Sequence, residues 1–296
     1  MRIIFLLLIH FGISKCSRPL SPLENKKLQS ICGTKPAHYG RFAEKSDNKR
    51  HLYGGDPIPG KMAPWAVDID FNGNRCSGTL ISSRHILTAS HCVMNGPEDF
   101  NWALRYSERS CENNWFDLVF NIKHTYYTVY NSEMKVLTKN IVKLTLINMC
   151  GIPDLTYDDF MVLELGENVQ FNDIVHPICV PKNQNFEDEN NWVEISTFGH
   201  NRFSIEPNQD PPLLRQGGMQ ITYPLYEGRG FSATDYRKQV VLRQGDSGGT
   251  GYAKHPKNGR FYVIGVATTT GYPQYDSGFV SVGYHQEHLC RSTGIC

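Results

Sequence analysis

Gly245-Asp246-Ser247-Gly248-Gly249 is the stretch on which the reading of this chain turns. Three glycines within five residues strip side chains from a turn, so the backbone can bend tightly and expose the Ser247 hydroxyl and neighbouring N–H groups. A serine nucleophile requires that exposure, together with a base to take its proton and a carboxylate to orient the base. On its own the stretch is only a glycine-rich turn, so its partners decide its meaning. His91 follows the run Ile86-Leu87-Thr88-Ala89-Ser90 and precedes Cys92, which has a strand deliver the imidazole. Asp159 lies in Tyr157-Asp158-Asp159-Phe160-Met161-Val162-Leu163, where a polar segment enters an apolar strand.

Short apolar runs surround these segments. Trp65-Ala66-Val67-Asp68-Ile69-Asp70-Phe71 alternates, and Gly78-Thr79-Leu80-Ile81 follows it closely. A second group covers Val193 to Phe198, Met219 to Tyr223, Tyr262 to Thr270 and Gly278 to Val282. Short strands at close spacing predict an all-β chain, and two groups predict two β lobes. Val169 to Pro181, broken by Pro177 and Pro181, reads as the connection between them. From Tyr284 onward strand character ends, leaving room for a short terminal helix limited by Gly294.

The ends and the charge bound the function. Met1-Arg2 followed by the apolar run Ile3 to Ile9 reads as a signal peptide over 1–16, cut after Cys16. Residues 17–51 are charged and proline-rich, form no periodic element, and read as a pro-segment. No later run is long and apolar enough to anchor the chain, so the expectation is a secreted, extracellular protein. Of nine cysteines, loss of Cys16 leaves an even set, which predicts a disulfide framework. Thirty basic residues against 29 acidic ones give a net charge of +1, which recruits neither nucleic acid nor anionic membrane. The expected partner is a protein or peptide. Glu187-Asp188-Glu189 reads as a solvated loop, and the chain has no Asn-x-Ser/Thr acceptor. His176, His255, His285 and His288 lack metal-like spacing and read as surface or loop residues, so no metal or cofactor is expected.

Together these segments resemble the trypsin/chymotrypsin family of serine proteases. Cys76-Ser77-Gly78-Thr79-Leu80-Ile81 with Leu87-Thr88-Ala89-Ser90-His91-Cys92 is similar to the family's histidine-bearing hairpin, and Asp159-Phe160-Met161-Val162-Leu163 to its aspartate strand. The chain order His91, Asp159, Ser247 is the family's order. The resemblance covers roughly residues 52 to 290. It implies two antiparallel six-stranded β-barrels, about 52–168 and about 182–283 within a protease domain of 52–296, and a short C-terminal helix. Ser247 attacks the carbonyl, His91 shuttles the proton, Asp159 fixes the imidazole tautomer, and the N–H groups of Gly245 and Ser247 bind the oxyanion. It also implies the bridges Cys76 with Cys92, Cys32 with Cys179, Cys111 with Cys150 and Cys290 with Cys296, so that the pro-segment stays tethered after cleavage.

The chain departs from the family in two places. Members are cut before two aliphatic residues and two glycines, and the freed amine pairs with the aspartate before the nucleophile. Here the match is Leu52-Tyr53-Gly54-Gly55 with Asp246, whereas a trypsin-like activator cuts after Arg50 and leaves His51 ahead of Leu52. In the specificity pocket Val241 stands six residues before the nucleophile, where the trypsin branch carries an acid. Thr268, Thr269 and Thr270 form the wall, Gly278 keeps the back open, and Arg243 replaces a bracing cysteine. The resemblance with these departures is to a divergent nematode branch. It implies a monomeric serine endopeptidase made as a zymogen, preferring an apolar residue before the scissile bond, with an activating protease and a protein inhibitor as partners. The alternative is a protease-fold binding or regulatory protein with little turnover.

Overall fold

The alternating runs become strands throughout. A computed structural model describes residues 18–35, 55–71, 73–93, 108–110, 115–118, 127–147, 158–183, 192–199, 213–237, 240–243, 245–270 and 276–296. Helix α1 is Pro22–Ile31. Strands β1 (Asp56–Pro57), β2 (Ala66–Phe71), β3 (Asn74–Leu80), β4 (His85–Thr88), β5 (Glu108–Ser110), β6 (Trp115–Leu118), β7 (Tyr127–Tyr130), β8 (Val136–Thr138), β9 (Ile141–Ile147) and β10 (Met161–Leu165) come first. Strands β11 (Trp192–Thr197), β12 (Arg215–Leu225), β13 (Gly230–Thr234), β14 (Thr250–Lys254), β15 (Phe261–Thr270) and β16 (Asp276–Ser281) follow, and helix α2 is Gln286–Thr293.

The ladders form two antiparallel sheets. In the second, the order β12-β11-β14-β15-β16-β13 closes on itself through a β12–β13 pairing, and β1 adds to the outside of β12. This is the expected six-stranded barrel. The first sheet differs from that expectation: it runs β5-β6-β9-β10-β4-β3-β2-β7-β8 as a half-barrel of nine ladder strands. Its curvature is completed by the chain rather than by a ladder, because β8 leads into β9 across Lys139 and Asn140 while pairing with β7, and β9 pairs with β10.

Each lobe buries its inward face. Val193, Ile195, Met219, Ile221, Phe231, Ile264 and Phe279 form one core inside the second barrel. The larger core fills the first lobe and reaches across the junction, where Trp65 stacks edge-on against Tyr252 with ring centroids 5.0 Å apart. Apolar area removed from water at about 25 cal/mol per Å² makes these two cores the main stabilising term.

Residues 18–35 correct the expectation of an irregular pro-segment. Ser21 and Glu24 form a reciprocal capping box with Pro22 in the first turn, a start signal strong enough to build α1 despite its polar composition. The helix is docked by Leu20 and Leu28, which are buried, and by Arg84, whose guanidinium binds both Glu24 oxygens at 2.9 and 3.2 Å. The Arg84 bonds are the largest influence holding the Glu24 carboxyl down at about 2, followed by the Ser21 amide. Cys32 is joined to Cys179 in the inter-lobe connection, and Gly33 N–H donates to Pro177 O at 2.9 Å. A Cβ at Gly33 would collide with the Phe261 backbone, and its φ of +61° also favours glycine. Cys76 is bridged to Cys92 and Cys290 to Cys296; Cys111 and Cys150 lie outside the described residues.

Two of the four histidines read as surface or loop residues are buried rather than at the surface. His285 is fully buried, stacked on Phe160 at 5.0 Å, and burial lowers its pKa to about 3. His176 is buried beside Phe171. Both are packing residues supplied by segments that looked like loops.

Candidate active site

Strand register brings two of the predicted residues together. β4 and β10 are antiparallel neighbours with Met161 opposite Thr88 and Val162 opposite Leu87. His91, three residues beyond Thr88, and Asp159, two before Met161, therefore leave the same end of the sheet side by side. A short 3₁₀ turn over Ser90–Cys92 points the imidazole, and the bridge from Cys92 to Cys76 on β3 fixes that turn.

Asp159 is 4% exposed at its side chain and is saturated by donors from this turn. Oδ1 accepts from Ser90 Oγ and from the His91 amide, both at 2.8 Å, and Oδ2 pairs with His91 Nδ1 at 2.5 Å. His91 Nδ1 is thus committed to the carboxylate, and Nε2 is left to face outward on a side chain one-third exposed. Burial is the largest influence on the His91 pKa and pulls it down, but the hydrogen bond and charge of Asp159 together outweigh burial and raise it.

Ser247 arrives from the other lobe. Its carbonyl accepts from Ser77 N–H on β3 at 2.8 Å, and Gly248 N–H donates to Ala267 O on β15 at 2.7 Å. The loop is therefore clamped between the two sheets. Gly248 has a φ of +79°, and a Cβ there would strike Ser77 O and Thr88 Oγ1, so the close approach to the His91 strand requires glycine. Ser77 Oγ donates to Gly245 O at 3.0 Å and accepts from Phe198 N–H at 2.9 Å. Among the described residues the Ser247 hydroxyl makes no hydrogen bond.

The amides of the loop divide into two sets. Those of Asp246, Gly248 and Gly249 are bound to Arg243 O, Ala267 O and Asp246 O. Those of Gly245 and Ser247, one on either side of Asp246, are left without an acceptor among the described residues.

Asp246 is buried, and burial is the largest influence on its carboxyl, pushing it up to about 6. Thr197 Oγ1 donates to Oδ1 at 2.6 Å and Arg243 N–H to Oδ2 at 2.7 Å. Leu52 lies outside the described residues. The predicted specificity residues converge: Val241 is buried, Leu242 N–H donates to Ser277 Oγ beside Gly278, and Thr268 Oγ1 donates to Gly278 O at 3.4 Å. Thr270 pairs with Ser277 in the same ladder. Cys76, His91 and Cys92 offer ligand atoms within 4.8 Å of one another, but the disulfide occupies both sulfurs, so this cluster has no thiolate for a metal.

Three polar contributors were missed in the sequence: Ser77, Ser90 and Thr197. Each is a small hydroxyl residue in an apolar strand or its end, and only tertiary pairing gives it a partner.

A two-lobed β protein with an Asp-His pair on one lobe and a glycine-bound serine from the other belongs to the trypsin-like class of serine proteases. More narrowly, the chain belongs to the nematode trypsin-6-like family, whose profile matches residues 2–296. It is 26% identical over 275 residues to "Venom serine protease Bi-VSP" of Bombus ignitus, covering 81% of this chain and 67% of that protein. It is 29% identical over 238 residues to the "Proclotting enzyme" of Tachypleus tridentatus, covering 73% of this chain and 58% of the relative. It is 26% identical over 235 residues to the "Venom protease" of Bombus pensylvanicus, covering 73% and 87% respectively. The chain thus spans less than two thirds of the length of some relatives it matches, the proclotting enzyme among them. No helix among the described residues is long and apolar enough to cross a membrane.

Proposed function

We propose that this chain is a secreted serine endopeptidase that cleaves proteins through an acyl-enzyme on Ser247. The observation that carries the reading is the saturated Asp159 carboxylate pairing with His91 Nδ1, which leaves Nε2 to act as base at the lobe junction where Ser247 emerges. His91 takes the Ser247 proton as Oγ attacks the carbonyl carbon, and later returns it to the leaving amine. The unoccupied amides of Gly245 and Ser247 receive the oxyanion; one such donor is worth about 2.7 to 4 kcal/mol. Val241 places no charge at the base of the pocket, so an apolar residue precedes the scissile bond. Residues 18–35 remain attached through Cys32 and Cys179 when the chain is cut between them and the first lobe.

The secreted protein treated with a fluorophosphonate probe should carry the label on Ser247. A peptide library should then be cleaved after medium-sized apolar residues. Cleavage confined to sites after lysine or arginine would overturn the pocket assignment. The unengaged Ser247 hydroxyl also fits a binding protein built on the protease fold, and a folded protein that never takes the label decides for that reading.

A further inference from the structure

The second lobe holds the residues on either side of Asp159. Before it, Asp158 is buried, and its Oδ2 accepts from Arg229 Nη1 at 3.2 Å. After it, the Phe160 ring stacks on His285 with centroids 5.0 Å apart and planes 22° from parallel. His285 also reaches Asp158, its Nε2 lying 3.5 Å from Oδ1. Phe160 N–H donates to Asp158 O at 2.7 Å, which folds residues 158–160 into one tight bend with Asp159 at its apex. Both gripping residues come from the lobe that carries Ser247. Arg229 directly precedes β13, and its carbonyl accepts from Ser281 N–H of β16 at 2.8 Å, while His285 leads from β16 into α2. Tyr284 links the two, standing edge-on to the His285 ring at 5.0 Å and hydrogen-bonding the Arg229 side chain.

Burial decides what His285 can do there. It is the largest influence on the ring, followed by the charges of His288 and Arg229, and together they lower its pKa to about 3. The imidazole is therefore neutral when an enzyme of this kind works, and it carries a single N–H. Neither ring nitrogen has a hydrogen bond among the described residues. A proton on Nε2 turns its dipole to Asp158 Oδ1, whereas one on Nδ1 would leave a lone pair facing a carboxylate oxygen. We propose, resting on the triad reading above, that Arg229 and His285 are positioning residues: they grip Asp159 from both sides and keep the Asp159–His91 pair in register with the serine of their own lobe. The bonds among Ser90, His91 and Asp159 lie within the first lobe and do not set where Ser247 stands. A misplacement of about 1 Å can cost roughly 10²-fold in rate, so a grip from the serine's lobe has kinetic weight.

Arg229→Met removes the charge and the donor, and His285→Phe keeps the stacked ring without its polar edge. On a peptide substrate each should lower kcat by about 5- to 50-fold with KM within about twofold, part of the reach of one bond to a charged group. Arg229→Lys should recover most of the loss. The acid limb of the kcat/KM profile carries the decision: a loosened Asp159 supports the His91 imidazolium less, so the limb should move down by about half a pH unit. Loss of the Arg229 charge acting alone moves it up, because a nearby cation disfavours the imidazolium. A limb that stays or rises in either folded variant would overturn the proposal. The Arg229 side chain is 35% exposed, so methionine leaves no buried gap there. Should the stranded Asp158 charge prevent folding, Arg229→Met with Asp158→Asn removes both charges at once and takes its place. If the parent chain takes no fluorophosphonate label, the endopeptidase reading fails, and His91 is titrated by NMR in the folded chain instead. A His91 pKa about half a pH unit below the parent's in the variants supports the grip, and an equal or higher one overturns it.

Discussion

At the scale of single residues, the proposed catalysis depends on which hydrogen bonds are already made before substrate arrives. Asp159 accepts three, two from backbone or hydroxyl donors and one from the imidazole, so its orientation is over-determined. Asp159→Asn keeps the shape but offers Nδ1 a donor and reverses the tautomer. Turnover on a peptide substrate should fall by about 10⁴-fold with the fold intact by circular dichroism. Ser90→Ala removes one donor and leaves the Asp159–His91 pairing in place. A fall in kcat of about 10-fold with KM unchanged is expected, since a hydrogen bond to a charged group is worth about 1.5 to 3 kcal/mol and relaxation recovers part of it. A rise in KM with kcat unchanged would instead place Ser90 in substrate binding. The raised pKa of His91 sets the acid side of the profile: activity needs the neutral imidazole and should climb as pH rises through a value above 6.5.

At the scale of elements, the N-terminal segment changes from an appendage to a docked component that binds both lobes, through Arg84 in the first and Arg260 and Phe261 in the second. The period-3.6 pattern of α1 is weak because only Leu28 is buried along it, so the helix is legible from its Ser21-Pro22-Leu23-Glu24 start and not from amphipathicity. Its docking uses contacts separated by 60 residues or more in sequence, such as Arg84 with Glu24 and Arg18 with Glu164, which no local pattern exposes. The strands, by contrast, were legible wherever alternation was clean, as in β2, and where a strand joined two recognisable segments, as β4 joins Leu80 to His91. Leu28→Ala should lower stability by about 2 to 4 kcal/mol in denaturant melts, because its side chain is buried in the main core. A cost below about 1 kcal/mol would mean that α1 packs loosely and that the Cys32–Cys179 bridge alone retains it.

At the scale of the whole molecule, the two lobes have different demands: the first supplies Asp159 and His91, the second supplies the serine loop, and the junction must keep both in register. Asp158, next to Asp159, binds Arg229 at 3.2 Å where β13 begins, tying the lobes together close to the site. The segments that carry His91, Asp159 and Ser247 stand out in the sequence because each has a particular neighbour there, but this tie and the buried acids do not, since burial is a property of the assembled barrels. Glu194 on β11 is the clearest of these acids. Burial is the largest influence on it and pushes its carboxyl up to about 7 from 4.5, against the opposing bonds from Trp192 Nε1 at 3.0 Å and Gln216 Nε2 at 3.3 Å. An acid whose folded pKa is raised contributes stability that is complete below its unfolded value near 4.5 and lost as pH climbs through 7. The move corresponds to about 3 kcal/mol between those limits. Glu194→Gln keeps the acceptor for Trp192 and offers its amide to Gln216 Oε1, which is buried without a partner, once the Gln216 amide turns over. The variant should therefore melt roughly 5 to 10 °C above the parent at pH 8 and within a degree or two of it near pH 4. Asp246, His85 and His285 also titrate with folding, but they are common to both proteins and cancel in the difference. A gain of equal size at both pH values would place the effect in packing and not in the buried charge.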